Sequence, residues 1–278
     1  MEIRRSLLVT RILPRMTALH VDRDGAITTL WLAREAKRNA LDGDLMREFA
    51  AAVDEIANDP ECRVLVIRGK GPVFSSGIDH ALLFEVFQAS QRAPFLHLLH
   101  QLQETFHRLA RLQKPVIVAL HGACVGMALE LALAADIRIA TADCVMGLPE
   151  IAFGLVPDVG GTTRLIRAVG ESRAREMILT GRLVKAKTAA TFGLVHDVVA
   201  DAAALDAMVK ARAEALAVHP PLAMGLAKTL CAVSADTSSA TSFRIEGLVQ
   251  QTLITQPELA TQLAKAIAFI KAQFASAE

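Results

Sequence analysis

The strongest constraint on how this chain folds is the order of its patterns. Short apolar runs alternate with helical periodicity as far as Val199, and only helical patterns follow. Strands alternating with helices, then a helical tail, predict an α/β core with a helical C-terminal part. Residues 17–22 and 26–32 flank Asp24-Gly25 and read as a hairpin. Asp42 reads as the N-cap of a helix reaching Ile56, with Leu45, Phe49, Val53 and Ile56 on one stripe. Residues 63–68 form a short buried strand, and residues 73–77 make the next element. Helices over 81–93, ended by Pro94, and over 96–112 lead to strands at 116–120 and 137–140. After Gly160-Gly161 the pattern is helical except for a brief strand near 195–199. The expected organisation is an N-terminal flexible extension (1–16), a core (17–219) and a helical region (220–278) that begins at Pro220-Pro221.

The 278 residues carry a net charge of +1, which gives no basic footprint for nucleic acid. The chain is 53% hydrophobic, yet its richest stretch, 116–135, is interrupted by His121, Gly122 and Glu130. That falls short of the ~20 apolar residues of a membrane span, so the excess is assigned to a large core and subunit interfaces. Cys62, Cys124, Cys144 and Cys231 are scattered, without a Cys-x-x-Cys pair or histidines at metal-ligand spacing. They read as reduced thiols of a cytoplasmic protein with no metal site. The basic N-terminus, with Arg4, Arg5, Arg11 and Arg15, leaves an organelle matrix as the alternative location.

Three loops carry candidate chemistry. In Phe74-Ser75-Ser76-Gly77-Ile78-Asp79, the glycine lets backbone approach a ligand and the Ile78 N–H can point outward; a plain tight turn is the competing reading. In His121-Gly122-Ala123-Cys124-Val125-Gly126-Met127, a strand feeds small residues into a helix start, which makes the Met127 N–H an anion donor. Glu130 follows three residues later between Leu129 and Leu131, where burial raises a carboxyl pKa and suits a proton carrier. In the third loop, Glu150 and Asp158 sit in Pro- and Gly-punctuated turns among Leu, Ile, Phe and Val. Two carboxylates within reach of one substrate can divide general acid and base duties.

The ordered set resembles the crotonase superfamily, the enoyl-CoA hydratase/isomerase family, over residues 17 to the C-terminal helices. The carrying stretches are Ala36-Lys37-Arg38-Asn39-Ala40-Leu41, Phe74 to Asp79, His121 to Glu130 with Asp136-Ile137, and Pro149 to Leu165 with its Gly-Gly-Thr. The resemblance implies a crotonase-like spiral of βββα turns with a helical C-terminal trimerisation region, homotrimers that usually pair into hexamers, and acyl-CoA thioesters as substrates. It places the thioester oxygen between the Ile78 and Met127 N–H groups, and makes Glu130 and Glu150 the catalytic glutamates. It assigns Ala36, Lys37 and Arg38 to the adenine and phosphates. It assigns Ser76, Gly77, Ile78, Asp79, His80, Gly126 and Met127 to binding of the CoA substrate. Residues 80–99 would line the acyl tunnel, and Phe269 and Lys271 would touch CoA from a neighbouring subunit. No cofactor beyond the CoA of the substrate is implied.

Two departures divide the expectation. Met127 stands where hydratases commonly have glycine, and Asp158 where they have glycine but dienoyl-CoA isomerases have a catalytic aspartate. The leading expectation is hydration of a 2-enoyl-CoA by Glu130 and Glu150. The alternative is double-bond isomerisation by Glu150 and Asp158, with a non-catalytic acyl-CoA-binding protein as the third.

Overall fold

A computed structural model describes residues 18–90 and 95–276. The expected extension, residues 1–16, and the first hairpin residue, Thr17, lie outside them. Strands β1 (Leu19–Asp24) and β2 (Ile27–Leu32) form the predicted antiparallel hairpin. Helix α1 (Gly43–Asn58) starts where expected, because the Asp42 carboxylate accepts the Leu45 N–H at 2.9 Å. Then come β3 (Val64–Gly69), α2 (His80–Ser90), α3 (Phe95–Arg111), β4 (Val116–Leu120), β5 (Ala123–Val125) and α4 (Met127–Leu133). The chain continues through β6 (Ile137–Thr141), β7 (Val145–Gly147), α5 (Gly161–Val169), α6 (Glu171–Thr180), β8 (Val184–Lys185), α7 (Ala186–Thr191) and β9 (Asp197–Val199). The helical tail is α8 (Ala202–Ala217), α9 (Pro221–Ser234), α10 (Ser239–Ile254) and α11 (Leu259–Ser276).

The strands form a six-stranded sheet, ordered β1-β2-β3-β4-β6-β9, and a three-stranded sheet, ordered β5-β7-β8. The chain winds between them: β4 enters the large sheet and β5 the small one, then β6 the large and β7 the small. From β2 onward the large sheet is parallel. Its central strand β4 is apolar throughout because both faces are covered. Leu65, Ile67, Val118 and Leu120 face the main core with Phe49 and Phe106. The alternate residues Val64, Val66, Ile117, Ala119 and Ile139 pack under Leu205, Val209 and Ala213 of α8.

The sequence pattern differs from the structure at the short elements. Residues 73–77 form no regular strand; Ser75 makes a single bridge to Cys124, and Ile78, just beyond, makes one to Leu41. The brief strands β5, β7 and β8 fall in stretches too short to show a period of two. The tail is tied to the core by Lys228 of α9, whose ammonium donates to the Asp136 carboxylate (2.8 Å) and to Lys114 O (3.2 Å). No single described helix is long and apolar enough to cross a membrane.

One buried amide fixes the loop that leads toward the site. Asn39 is fully buried and left-handed (φ 53°), a conformation asparagine tolerates better than most residues. Its Nδ2 donates to Lys70 O, Val73 O and Phe74 O, and its Oδ1 accepts the Arg34 N–H at 2.9 Å. Replacing Asn39 by alanine strands these groups and keeps an unfavourable φ. The expected cost is about 3 kcal/mol, read from the urea midpoint at constant slope. A loss below about 1 kcal/mol would show that water or neighbours replace the amide.

Candidate active site

Two backbone segments run together at the centre of the molecule. Phe74 N–H donates to His121 O (2.8 Å) and Ser75 N–H to Ala123 O (3.0 Å), so the 74–78 loop lies along the 121–127 loop. Gly77 (φ 93°) makes the close approach possible, since a Cβ there would fall 2.4 Å from Val125 O and 3.6 Å from Met127 N. The Ile78 and Met127 N–H groups therefore stand on adjacent segments. Among the described residues, neither donates to a backbone or side-chain acceptor. The Met127 N–H also opens α4, where the helix leaves its first donors unsatisfied. Ser76 N–H, in turn, donates to Arg38 O (3.0 Å), which pins the exposed Ala36-Lys37-Arg38 turn beside this loop.

The three sequence-predicted acids converge on α4. Glu130 lies in its first turn and is 1% exposed. Its Oε2 accepts the N–H groups of Val159 (2.7 Å) and Gly161 (3.2 Å). A Cβ at position 161 would meet Glu130 Cγ at 2.6 Å, so the second glycine of Gly160-Gly161 makes room for this carboxyl. Glu150 opens a 3-10 turn, Glu150–Phe153, and its half-buried carboxyl reaches the other end of α4's first turn. A Cβ at Gly126 would sit 3.1 Å from Glu150 Oε1. Glu150 Oε2 is buried with no hydrogen-bond partner among the described residues. Asp158 is exposed on the loop that carries the two N–H donors of Glu130.

Electrostatics ties the three together. Burial, then the Glu150 and Asp158 carboxylates, push Glu130 up to about 8 against the pull of its two N–H donors. Burial raises Glu150 as well, and Asp158 adds to it. Partial burial of its carboxyl raises Asp158, although the residue as a whole is exposed. Groups whose environments force their pKa values apart can hold a proton on one member while another stays ionised.

Other sequence-predicted residues are engaged differently. Asp79 caps α2 by accepting the Ala81 N–H (2.9 Å) and pairs with Arg34 at 3.2 Å. That backbone donor and the guanidinium hold its carboxyl below the usual aspartate range. His80 is the exposed first residue of α2. Of the stretch 80–99, residues 91–94 lie outside the described set; Leu82 is buried, Leu99 packs on the core, and Phe84 and Leu96 are exposed. Phe269 and Lys271 fall on α11, but their side chains lie outside the described residues. Sequence reasoning did not single out the Val159 and Gly161 donors, Gln103, whose Nε2 donates to Asp158 O at 2.6 Å, or Arg164, which donates to Val159 O at 3.1 Å. The Gly-Gly pair was the available signal for the first two. Among the described residues, no group of three or more His, Cys, Asp and Glu could hold a metal ion.

A two-sheet spiral that sets electrostatically coupled carboxyls beside two backbone N–H groups without acceptors has the parts for moving a proton next to a developing anion. A sequence profile described as Enoyl-CoA hydratase/isomerase matches residues 22–270, and the chain belongs to this family. It is 37% identical over 213 residues to the 2,3-dehydroadipyl-CoA hydratase of Escherichia coli K12, covering 77% of this chain and 81% of that one. It is 30% identical over 209 residues to the mitochondrial Delta(3,5)-Delta(2,4)-dienoyl-CoA isomerase of Dictyostelium discoideum, covering 73% and 71%. A Thermobifida fusca protein solved in complex with CoA superposes with a TM-score of 0.79 at 35% identity, covering 88% of this chain and 95% of that one.

The raised Glu130 sets a stability prediction. Its folded pKa of about 8 lies above the unfolded value near 4.5, so the folded chain keeps a proton that the unfolded chain releases between them. Its contribution to stability therefore falls as pH rises through that window and levels off above it. Glu130→Gln keeps the acceptor oxygen for Val159 and Gly161 and removes the ionisation. At pH 9 the variant is expected to be more stable than the parent by several kcal/mol, at most about 5 for a rise of this size, and near pH 5 by less than about 1 kcal/mol. Thermal melts at the two pH values decide it; equal melting at pH 9 would mean the carboxyl is not strained by burial.

Proposed function

We propose that this protein is an enoyl-CoA hydratase that adds water across the double bond of a 2-enoyl-CoA thioester. The observation that carries the reading is the pairing of Glu130 and Glu150 on either side of the first turn of α4, whose Met127 N–H is unpaired. In the proposed reaction the Ile78 and Met127 N–H groups receive the thioester oxygen, on which negative charge develops. Such donors cost no reorganisation when the charge appears, and losing one typically slows a reaction ~10²–10³-fold. The glutamate pair holds one proton near neutrality. Its ionised member takes a proton from water as the oxygen adds to the β-carbon, and its protonated member supplies one to the α-carbon. In the free site burial puts that proton on Glu130. The pair regains its starting state by exchanging one proton, and no cofactor enters the balance. Met127 narrows the pocket without removing the donor, because only proline lacks an N–H.

Lys37 and Arg38 are exposed on the turn beside the donor loop, which suits them to the CoA phosphates. Ala36 completes that turn, while Ser76 and Gly77 form the loop wall. The helical tail exposes Phe243 (69%), Leu248 (65%) and Ile267 (55%), which supports a subunit contact there and hence a trimer or a pair of trimers. The unpaired thiols of Cys62, Cys124, Cys144 and Cys231 suit a reducing compartment such as the cytoplasm.

One observation favours a second reading. Asp158 raises the pKa of both glutamates, so it shares their site, as an isomerase that moves a proton along a conjugated chain would need. Loss of the conjugated enoyl-thioester absorbance on adding purified protein tests the first reading; no loss at any acyl length would sink it. Glu130→Gln and Glu150→Gln are each expected to lower kcat by roughly 10²–10⁴-fold. In the parent enzyme kcat/KM is expected to fall as pH rises past about 8, where the pair loses its proton. Asp158→Asn should leave hydration within about tenfold and abolish any 3,5- to 2,4-dienoyl-CoA conversion. The reverse pattern would make isomerisation the principal reaction.

A further inference from the structure

We propose that Gln103, a half-buried side chain on α3, is a positioning residue for Glu130 that acts through the peptide joining Asp158 to Val159. Gln103 Nε2 donates to Asp158 O at 2.6 Å, and the N–H of that same peptide, on Val159, donates to Glu130 Oε2 at 2.7 Å. A peptide whose carbonyl accepts a hydrogen bond becomes a stronger donor at its N–H, so the two bonds reinforce each other. They also fix the plane of the peptide, which sets the direction from which Val159 meets the carboxyl.

The turn is otherwise held at its neighbouring carbonyls. Thr162 Oγ1 donates to Pro157 O at 3.0 Å and Arg164 Nη1 donates to Val159 O at 3.1 Å. Gly160 is left-handed (φ 100°), and a Cβ there would fall on the Arg164 guanidinium, so the first glycine of the pair admits that side chain. Gln103 alone among these side chains grips the peptide that touches Glu130 through Oε2 at its shorter distance. The charged groups that bear on Glu130 are Glu150 of the 3-10 turn, Asp158 of the loop and Arg164 of α5. Arg164 in turn senses Arg167 on its own helix and bears on His107 of α3.

A stronger Val159 N–H favours the ionised carboxylate over the acid. Removing Gln103 therefore moves the Glu130 titration to higher pH and leaves CoA binding alone. The experiment follows the Glu130 carboxyl by infrared difference spectroscopy or carboxyl ¹³C resonance, with Glu130→Gln identifying the signal. Gln103→Leu is expected to raise its midpoint by about half a pH unit. Gln103→Glu, which cannot donate and adds negative charge, is expected to raise it further. Gln101→Leu serves as the control: Gln101 pairs with His97 on the same helix at 3.1 Å and has no path to Glu130. With 2-enoyl-CoA, Gln103→Leu should lower kcat roughly threefold to tenfold at unchanged KM and shift the alkaline limb upward in step with the titration.

The kinetic part rests on the hydratase reading; the titration does not. A protein that hydrates no enoyl-CoA would overturn that reading while the titration still decides the relay. A midpoint in Gln103→Leu that stays at the parent value, or one matched by Gln101→Leu, overturns the relay.

Discussion

A carboxyl taken almost completely out of water is costly unless the protein supplies hydrogen bonds or lets it keep a proton. Glu130 receives both. Two peptide N–H groups reach one of its oxygens, and burial among like charges still pushes it up to about 8. Much of the local architecture follows from this arrangement. α4 must begin close enough to α5 for the contact, and Gly161 must lack a side chain to allow it. The Pro157–Gly161 turn must present its N–H groups inward, which sends its carbonyls toward Gln103 and Arg164.

Glycine has the same function at the other close approaches. Gly77 brings the 74–78 loop against Val125, and Gly126 leaves space for the Glu150 carboxyl. Two of the three therefore admit a carboxyl, and one admits a strand-like backbone. The unpaired Ile78 and Met127 N–H groups are a consequence of these contacts, because neither segment can complete a regular ladder with the other. A site with preorganised donors is thus built from positions where secondary structure stops short.

These causes were unevenly legible in the sequence. Leu129, Leu131 and Leu133 around Glu130 announced its burial, and Asp42 announced the start of α1, because both signals are local. The Ile78 and Met127 donors were legible through glycine position and a helix start, which is also local. Gln103 was not, since its partner is 55 residues away and a polar residue on an amphipathic helix reads as solvated. Asn39 was hidden for the same reason: its four bonds close onto Arg34 and onto carbonyls more than thirty residues on. The short strands β5, β7 and β8 are defined by pairing partners rather than by their own pattern.

The two proposed chemistries differ in what they ask of the third acid. Hydration needs one protonated and one ionised carboxyl around a water, and Glu130 and Glu150 suffice. In that reaction Asp158 acts only by its charge, raising both glutamates and helping to keep the proton on the pair. Isomerisation needs a second acceptor displaced along the acyl chain, and Asp158 is the only other acid that the site's electrostatics brings in among the described residues. Its exposure matters here. Partial burial already raises its carboxyl, but the access to water it keeps suits a charge that tunes its neighbours better than a proton reservoir during transfer. An acyl chain lying across the loop would remove that water and raise Asp158 further, toward the condition isomerisation requires. The substrate's own length and the way it covers Asp158 would then select between the reactions, with Glu150 common to both.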